Sequence, residues 1–316
     1  MAVKKKLKIK KKNFTIFVLL ICIIVYLIVT SFNFVTDKLT KNHQSSNNEV
    51  VKAEKEKNTE EKKKTLTDEE KKLKELNNID KKIDYFNKKY IDRYLKYKEN
   101  NPDMDLEKII IYVNMGLDNN YYTNTIKTPY LNKEYILVNK YNYLTDDYIP
   151  DNLESISTKY ALNGMKLVKV AKEAFENMAK DALNNKMSII AMSSYRSYSY
   201  QVNLYNKYVK ADGKEAADTY SGRPGHSEHQ TGLAVDVYNG KENYTNFEKT
   251  KEFNWMQDNA YKYGFILRFP KNKTNETGYM YESWHYRYVG VEIAKYIYEK
   301  KISFEEYYVR FIENKK

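Results

Sequence analysis

At 316 residues the chain is long enough for one large domain or two small ones. Its net charge of +12 comes from lysine far more than from arginine, which occurs only at Arg93, Arg196, Arg223, Arg268, Arg287 and Arg310. A single cysteine, Cys22, excludes any intramolecular disulfide and with it a disulfide-stapled fold.

The chain opens with Lys4, Lys5, Lys6, Lys8, Lys10, Lys11 and Lys12, followed by an apolar run over residues 14–35 that no charge interrupts. About 20 apolar residues cross a bilayer core as a helix, and positive charge on the near flank holds that end in the cytoplasm. Residues 1–13 therefore read as a basic cytoplasmic tail and 14–35 as a transmembrane helix, with the rest of the chain outside the cytoplasmic membrane. A cleaved signal peptide is the competing reading, but its apolar core spans roughly 7–15 residues and ends at small residues, and no such site stands out here. Cys22 lies between Ile21 and Ile23, too bulky a setting for lipoprotein processing, and reads as membrane filler. Residues 36–66 are rich in Lys, Glu, Asn and Ser and bury too little apolar surface to fold alone, so they read as a charged stalk.

Residues 67–129 are expected to form a helical extension. Thr67-Asp68-Glu69-Glu70 resembles a capped, acid-first helix start. Ile79, Ile83, Phe86, Tyr90, Ile91 and Tyr94 continue at helical spacing until Asn101-Pro102 breaks the run. A second helix is expected from Asp105 to near Gly116. The pattern suits either packing on the main domain or a partner-binding coil.

Over 130–316 the expected elements alternate irregularly. A strand is expected at 135–139, an amphipathic helix at 165–183 and a buried strand at 186–192 that delivers Ser194, Tyr195, Arg196 and Ser197. A helix carrying Gln201, Leu204 and Tyr208 follows, then a strand at 233–237. A helix at 253–263 stops at Gly264, a strand at 265–269 is ended by Pro270, and a last strand spans 284–289. Helices around Ile293 and Phe304 close the chain. There is no regular βαβ alternation, so the fold class is α+β, with a small mixed or antiparallel sheet flanked by helices.

Three of the four histidines fall in two segments: His226 and His229 in Arg223-Pro224-Gly225-His226-Ser227-Glu228-His229-Gln230-Thr231-Gly232-Leu233-Ala234-Val235-Asp236, and His285 in Glu282-Ser283-Trp284-His285. Two imidazoles, a carboxylate and a spare glutamate are what a hydrolytic zinc site needs, because zinc there takes three protein ligands and keeps a position open for water. On a strand, Val235 and Val237 face the core and Asp236 the other side, an expensive place for a carboxylate unless a cation or hydrogen bonds compensate it. A separation of about fifty residues is compatible with adjacent strands. A lone histidine on an apolar strand is more often a core residue, so the set carries the reading and no single member does. Arg196 to Arg287 lie in or near the same segments, and arginine's fork suits carboxylate recognition. Ordinary ion pairing is an equal reading for Arg223 and Arg268, and packing or pairing beside His285 is the default for Arg287.

These segments resemble the VanY-type zinc D,D-carboxypeptidase (D-alanyl-D-alanine carboxypeptidase) family. The pattern S-x-H-x-x-G-x-A-x-D is met by Ser227, His229, Gly232, Ala234 and Asp236, and E-x-W-H by Glu282, Trp284 and His285. An upstream segment is met by Ser194-Tyr195-Arg196-Ser197 and Gln201. Tyr195 stands where glycine is commoner and Ser283 where proline is commoner, and neither change removes a catalytic group. The resemblance implies a zinc D-Ala-D-Ala peptidase (hedgehog-like) fold over 130–316 and one zinc ion held by His229, Asp236 and His285. It further implies Glu282 as catalytic base, Arg196 as a group that binds and polarises the substrate end, and Ser227 and Gln201 as holders of the terminal carboxylate. The implied partners are peptidoglycan stem peptides. L,D-carboxypeptidase or endopeptidase action and a non-catalytic cell-wall binding role are the alternatives, and the motif leaves oligomeric state open. Nucleic acid is not an expected partner, since much of the excess lysine lies in the tail, stalk and extension, and the many tyrosines line no basic stripe.

Overall fold

A four-stranded antiparallel sheet, with strands Ile190–Ser193, Ala234–Tyr238, His285–Tyr288 and Phe265–Leu267 in that spatial order, organises the described residues. The computed structural model describes residues 83–313, all within one compact unit that begins at Glu75. The tail, the apolar run at 14–35 with Cys22, the stalk and the first part of the extension lie outside the described residues. Among the described residues no helix is long and apolar enough to cross a membrane.

Helix α1 (Ile91–Asn100) stops before Pro102, and α2 (Leu106–Asn114) is capped by Asp105, whose carboxylate accepts from the Lys108 amide at 3.1 Å. Strands β1 (Ile126–Lys127) and β2 (Asn142–Tyr143) pair in parallel, and β3 (Leu153–Ser155) and β4 (Lys166–Val168) pair antiparallel. There follow α3 (Lys169–Asn184), β5 (Ile190–Ser193), α4 (Tyr198–Asp212), α5 (Lys214–Tyr220), β6 (Ala234–Tyr238), α6 (Lys251–Asn259), β7 (Phe265–Leu267) and β8 (His285–Tyr288). Helices α7 (Val291–Lys300) and α8 (Phe304–Phe311) end the described chain. The α+β class and its mixture of small sheets agree with the sequence reading.

Helix α3 buries Ala171, Phe175, Met178, Ala179 and Ala182, spaced for one face, against Val235, Val237, Phe265 and Tyr286 of the sheet. Full burial of a side chain such as Phe175 stabilises by roughly 1.5–3 kcal/mol. The described part of the extension packs on the main domain: Tyr94, Ile109, Ile110 and Val113 share a core with Val309 of α8, and Arg310 donates to Glu107 at 2.8 Å. The coil reading loses its ground over these residues, because their apolar face is already covered.

Three expected elements differ. Residues 135–139 form a buried loop instead of a strand. Side chains take the place of a ladder there: Arg287 Nη2 donates to the carbonyls of Glu134 and Ile136, and Thr128 Oγ1 to that of Leu137. The helix expected from 165 starts at Lys169, because Lys166–Val168 is drawn out as β4 and the Val168 amide donates to Gly232 O. The strand expected from 186 starts at Ile190. Asn185 caps α3, Lys186 turns at φ 60° and the Met187 amide donates back to Ala182 O, so these residues end the helix.

Candidate metal centre

Antiparallel pairing of β6 and β8 sets Asp236 directly opposite His285, so residues 49 apart in sequence approach to 2.9 Å between Asp236 Oδ1 and His285 Nδ1. Asp236 leaves the sheet on the face opposite Val235 and Val237, both of which lie in the core. His229 arrives from a different element, the 3-10 turn Glu228–Thr231, which ends at Gly232 in the left-handed region at φ 68°. A Cβ on Gly232 would lie 2.9 Å from Leu153 Cδ2 and 3.1 Å from Val168 Cγ1, so both conformation and space demand glycine.

His229 Nδ1 lies 2.7 Å from Ser194 O, at the end of β5. A carbonyl only accepts, so Nδ1 carries the proton and Nε2 offers its lone pair. The turn is clamped further by the Arg196 amide, which donates to His229 O at 3.1 Å. His229 Nε2 is buried without a hydrogen-bond partner and lies 3.3 Å from Asp236 Oδ2. One donor atom from each of His229, Asp236 and His285 falls within 4.8 Å of the others. That spacing, an orphaned imidazole nitrogen and two nitrogen donors with one oxygen fit a tetrahedral divalent ion such as zinc.

Burial and neighbouring charges act differently on the three groups. Burial and the Arg196 guanidinium push His229 down to about 4, which keeps it neutral and able to ligate. Burial opposes ionisation of Asp236, but the two imidazoles outweigh it and hold its carboxyl well below the usual range. His285 rises to about 9 despite burial, because Asp236 and Glu228 both face it. Glu282 Oε2 stands 3.8 Å from His285 Nδ1, beside the ligand set and outside it. Burial pushes the Glu282 carboxyl up to about 8, with His285 pulling against it. A dication in the neighbouring site opposes that shift.

Arg196, Gln201, Ser227, His229, Asp236, Glu282 and His285 all line one cleft of about 390 Å³, whose other walls include Tyr208, Tyr244, Trp284 and Met280. Within it Gln201 has a task beyond the one implied by the resemblance. Its oxygen accepts from Arg196 Nη1 at 3.2 Å, and its amide nitrogen donates to Ser221 Oγ and Gly222 O. Both amide hydrogens are thus engaged, and the side chain orients Arg196. The Arg196 Nε is buried with no partner, and its Nη2 lies 3.5 Å from Asp236 Oδ2. Arg223 pairs with Asp218 at 2.7 Å, and Arg268 with Glu228 and Glu305, so both take the ion-pair reading. Glu228 was not singled out in the sequence. Its only signal was position, directly before His229, and the contacts that distinguish it come from Arg268, just after β7, and from Arg287 and His285 of β8.

The VanY family profile, D-alanyl-D-alanine carboxypeptidase, matches residues 164–291, which contain every residue of this cleft named above as a site residue. Residues 164–291 are a VanY-family domain. Among its relatives, YodJ of Bacillus subtilis (strain 168) is 41% identical over 181 residues, covering 56% of this chain and 65% of YodJ. A D-alanyl-D-alanine carboxypeptidase of Enterococcus faecium is 39% identical over 136 residues, covering 43% of this chain and 41% of that protein. The chain therefore spans less than two thirds of the length of either. A solved structure of the LdcB LD-carboxypeptidase is 39% identical, with a TM-score of 0.52 over 55% of this chain and 85% of that one. The shared region is the VanY domain, and these matches cover only part of this chain.

Proposed function

We propose that this chain is a zinc-dependent D,D-carboxypeptidase that removes the C-terminal D-alanine from peptidoglycan stem peptides. The observation that carries the reading is the convergence of His229, Asp236 and His285 within 4.8 Å, with Glu282 beside them in an open cleft. The apolar run at 14–35 and its lysine-rich flank support a single-pass membrane anchor with the catalytic domain outside the cytoplasm.

His229, Asp236 and His285 would hold the zinc ion, which would supply a bound water acidic enough, with a pKa of about 7, to act as nucleophile near neutral pH. Glu282 accepts the proton of that water and passes it to the leaving amine of D-alanine. Arg196, which lines the cleft and is oriented by Gln201, stabilises negative charge on the reacting carbonyl oxygen. Ser227, buried at the cleft wall, offers a hydroxyl to the terminal carboxylate. One aspartate against a dication leaves the site one net positive charge, which suits an anionic peptide terminus.

A second reading, L,D-carboxypeptidase action on the same stems, is favoured by the likeness to the LdcB LD-carboxypeptidase. Mass spectrometry of defined tetrapeptide and pentapeptide stems, incubated with the protein with and without a chelator, separates the two. Loss of D-alanine from the pentapeptide alone, abolished by the chelator, is the expected result. Trimming of the tetrapeptide alone selects the second reading, and chelator-resistant release refutes the metal.

A further inference from the structure

We propose that Glu228 is a positioning residue for His285: its carboxylate accepts a hydrogen bond from the imidazole Nε2–H, which keeps the proton on that nitrogen and leaves Nδ1 free for the metal. The role rests on the metal-binding reading above. Glu228 is buried, at 4% exposure. Its Oε1 accepts from Arg268 Nε at 2.8 Å and from Arg287 Nη1 at 2.9 Å. Those two bonds occupy one oxygen and aim the other. The second oxygen, Oε2, is buried, makes no hydrogen bond and lies 3.5 Å from His285 Nε2. That nitrogen is likewise buried and without a hydrogen-bond partner. Two unsatisfied polar atoms therefore face each other across a gap that a small ring movement closes.

The opposite edge of the ring explains why they match. His285 Nδ1 faces Asp236 and Glu282, the side on which a cation would sit. A neutral imidazole that gives Nδ1 to a cation must carry its proton on Nε2. Glu228 is the only acceptor among the described residues placed to receive it within 4 Å as an ion-pair partner of Nε2. Metal-bound histidines generally donate their other ring N–H in this way, and the acceptor fixes both tautomer and ring orientation. The Phe269 ring, stacked on His285 with centroids 4.9 Å apart, holds the ring plane from one side.

The wider cluster fits a device built to hold a carboxylate in place. Glu305 on α8 takes Arg268 in a bidentate pair at 2.9 and 2.5 Å. Arg287 spends its remaining donors on the carbonyls of Tyr288, Glu134 and Ile136. Two guanidinium groups balance two carboxylates, so the buried cluster is neutral as a unit. A path of direct contacts thus joins α8 to the metal ligand, from Glu305 through Arg268 and Glu228 to His285.

The test compares wild-type protein with Glu228→Gln and Glu305→Gln. Glu305→Gln removes the same charge from the same cluster without touching His285. Zinc affinity is measured by chelator competition, thermal stability on the metal-free proteins, and ligand geometry from the absorption spectrum after cobalt(II) substitution. Glu228→Gln is expected to weaken zinc by about 10–100-fold and to alter the cobalt spectrum. Glu305→Gln is expected to lower thermal stability while leaving zinc affinity within about threefold and the spectrum unchanged. Equal zinc affinity in wild type and Glu228→Gln overturns the role, and so does an equal loss in both variants. If Glu228→Gln does not fold, nitrogen NMR of histidine-labelled, zinc-loaded wild type decides the matter. A slowly exchanging proton on His285 Nε2 supports the role, and a metallated or rapidly exchanging Nε2 refutes it. Wild-type protein that binds no zinc sinks the metal reading itself.

Discussion

Glu282 owes its properties to where it is held. It is 7% exposed, 3.8 Å from a ligand nitrogen, and pushed up to about 8 by burial. A dication in the neighbouring site opposes that shift and favours the ionised carboxylate, the form that accepts a proton. Replacing it with Gln keeps the shape and removes the base. The expected result is a loss of about 10²–10⁴-fold in kcat, with zinc affinity unchanged because Glu282 is outside the ligand set. Turnover of a pentapeptide stem and chelator competition check the two halves separately. Unchanged turnover would remove Glu282 from the mechanism. At the same scale Gln201 illustrates how a contact redefines a residue: its carboxamide is consumed in holding Arg196 and in bonding Ser221 and Gly222.

Among the elements, the turn that carries His229 is the most constrained. It is pinned at one end by Ser194 O and at the other by Gly232 in the left-handed region, against Leu153 of β3 and Val168 of β4. Gly232→Ala is expected to cost on the order of 1–3 kcal/mol from backbone strain alone, with the contacts to Leu153 and Val168 adding to it. Thermal denaturation should show a lowered Tm, and zinc affinity should fall because His229 moves with the turn. A variant with native Tm and native affinity would show that the turn tolerates a side chain after all. The sheet acts at the same scale: pairing of β6 with β8 sets Asp236 against His285, and a slip by one residue would turn one of them into the core.

For the whole molecule, the described extension, the C-terminal helix and the catalytic sheet share cores and buried charges. Their many tyrosines make alkaline pH the revealing variable. Burial pushes the Tyr94 and Tyr122 phenols up to about 12, whereas an unfolded tyrosine ionises near about 10. Between those values the folded chain retains protons that the unfolded chain has lost, so stability falls as pH rises. The contribution is complete below about pH 10 and gone above about pH 12. Thermal melts across that range should show a steep drop in Tm, and Tyr94→Phe should make the drop shallower. A flat Tm between those values would refute buried, un-ionised phenols in the extension. The expected membrane helix belongs to this scale too, but it lies outside the described residues.

What the sequence determined by itself was chemistry and local periodicity. His229, Asp236, His285 and Glu282 could be named because their types and spacing are written along the chain, and α3 and the stop at Gly264, which ends the 3-10 turn after α6, could be placed because apolar spacing and glycine conformation are local properties. Where the expectations missed, the deciding partner was distant. Residues 135–139 read as a strand because they are apolar, yet Arg287 takes up two of the carbonyls there. Residues 165–168 read as helix because of their pattern, yet Gly232 and β3 draw them out. Only the tertiary structure decided that Asp236 stands opposite His285, and that Glu228 turns one oxygen to two arginines and the other to a histidine. Such geometry depends on registers and contacts between residues tens of positions apart, which no single stretch of sequence encodes.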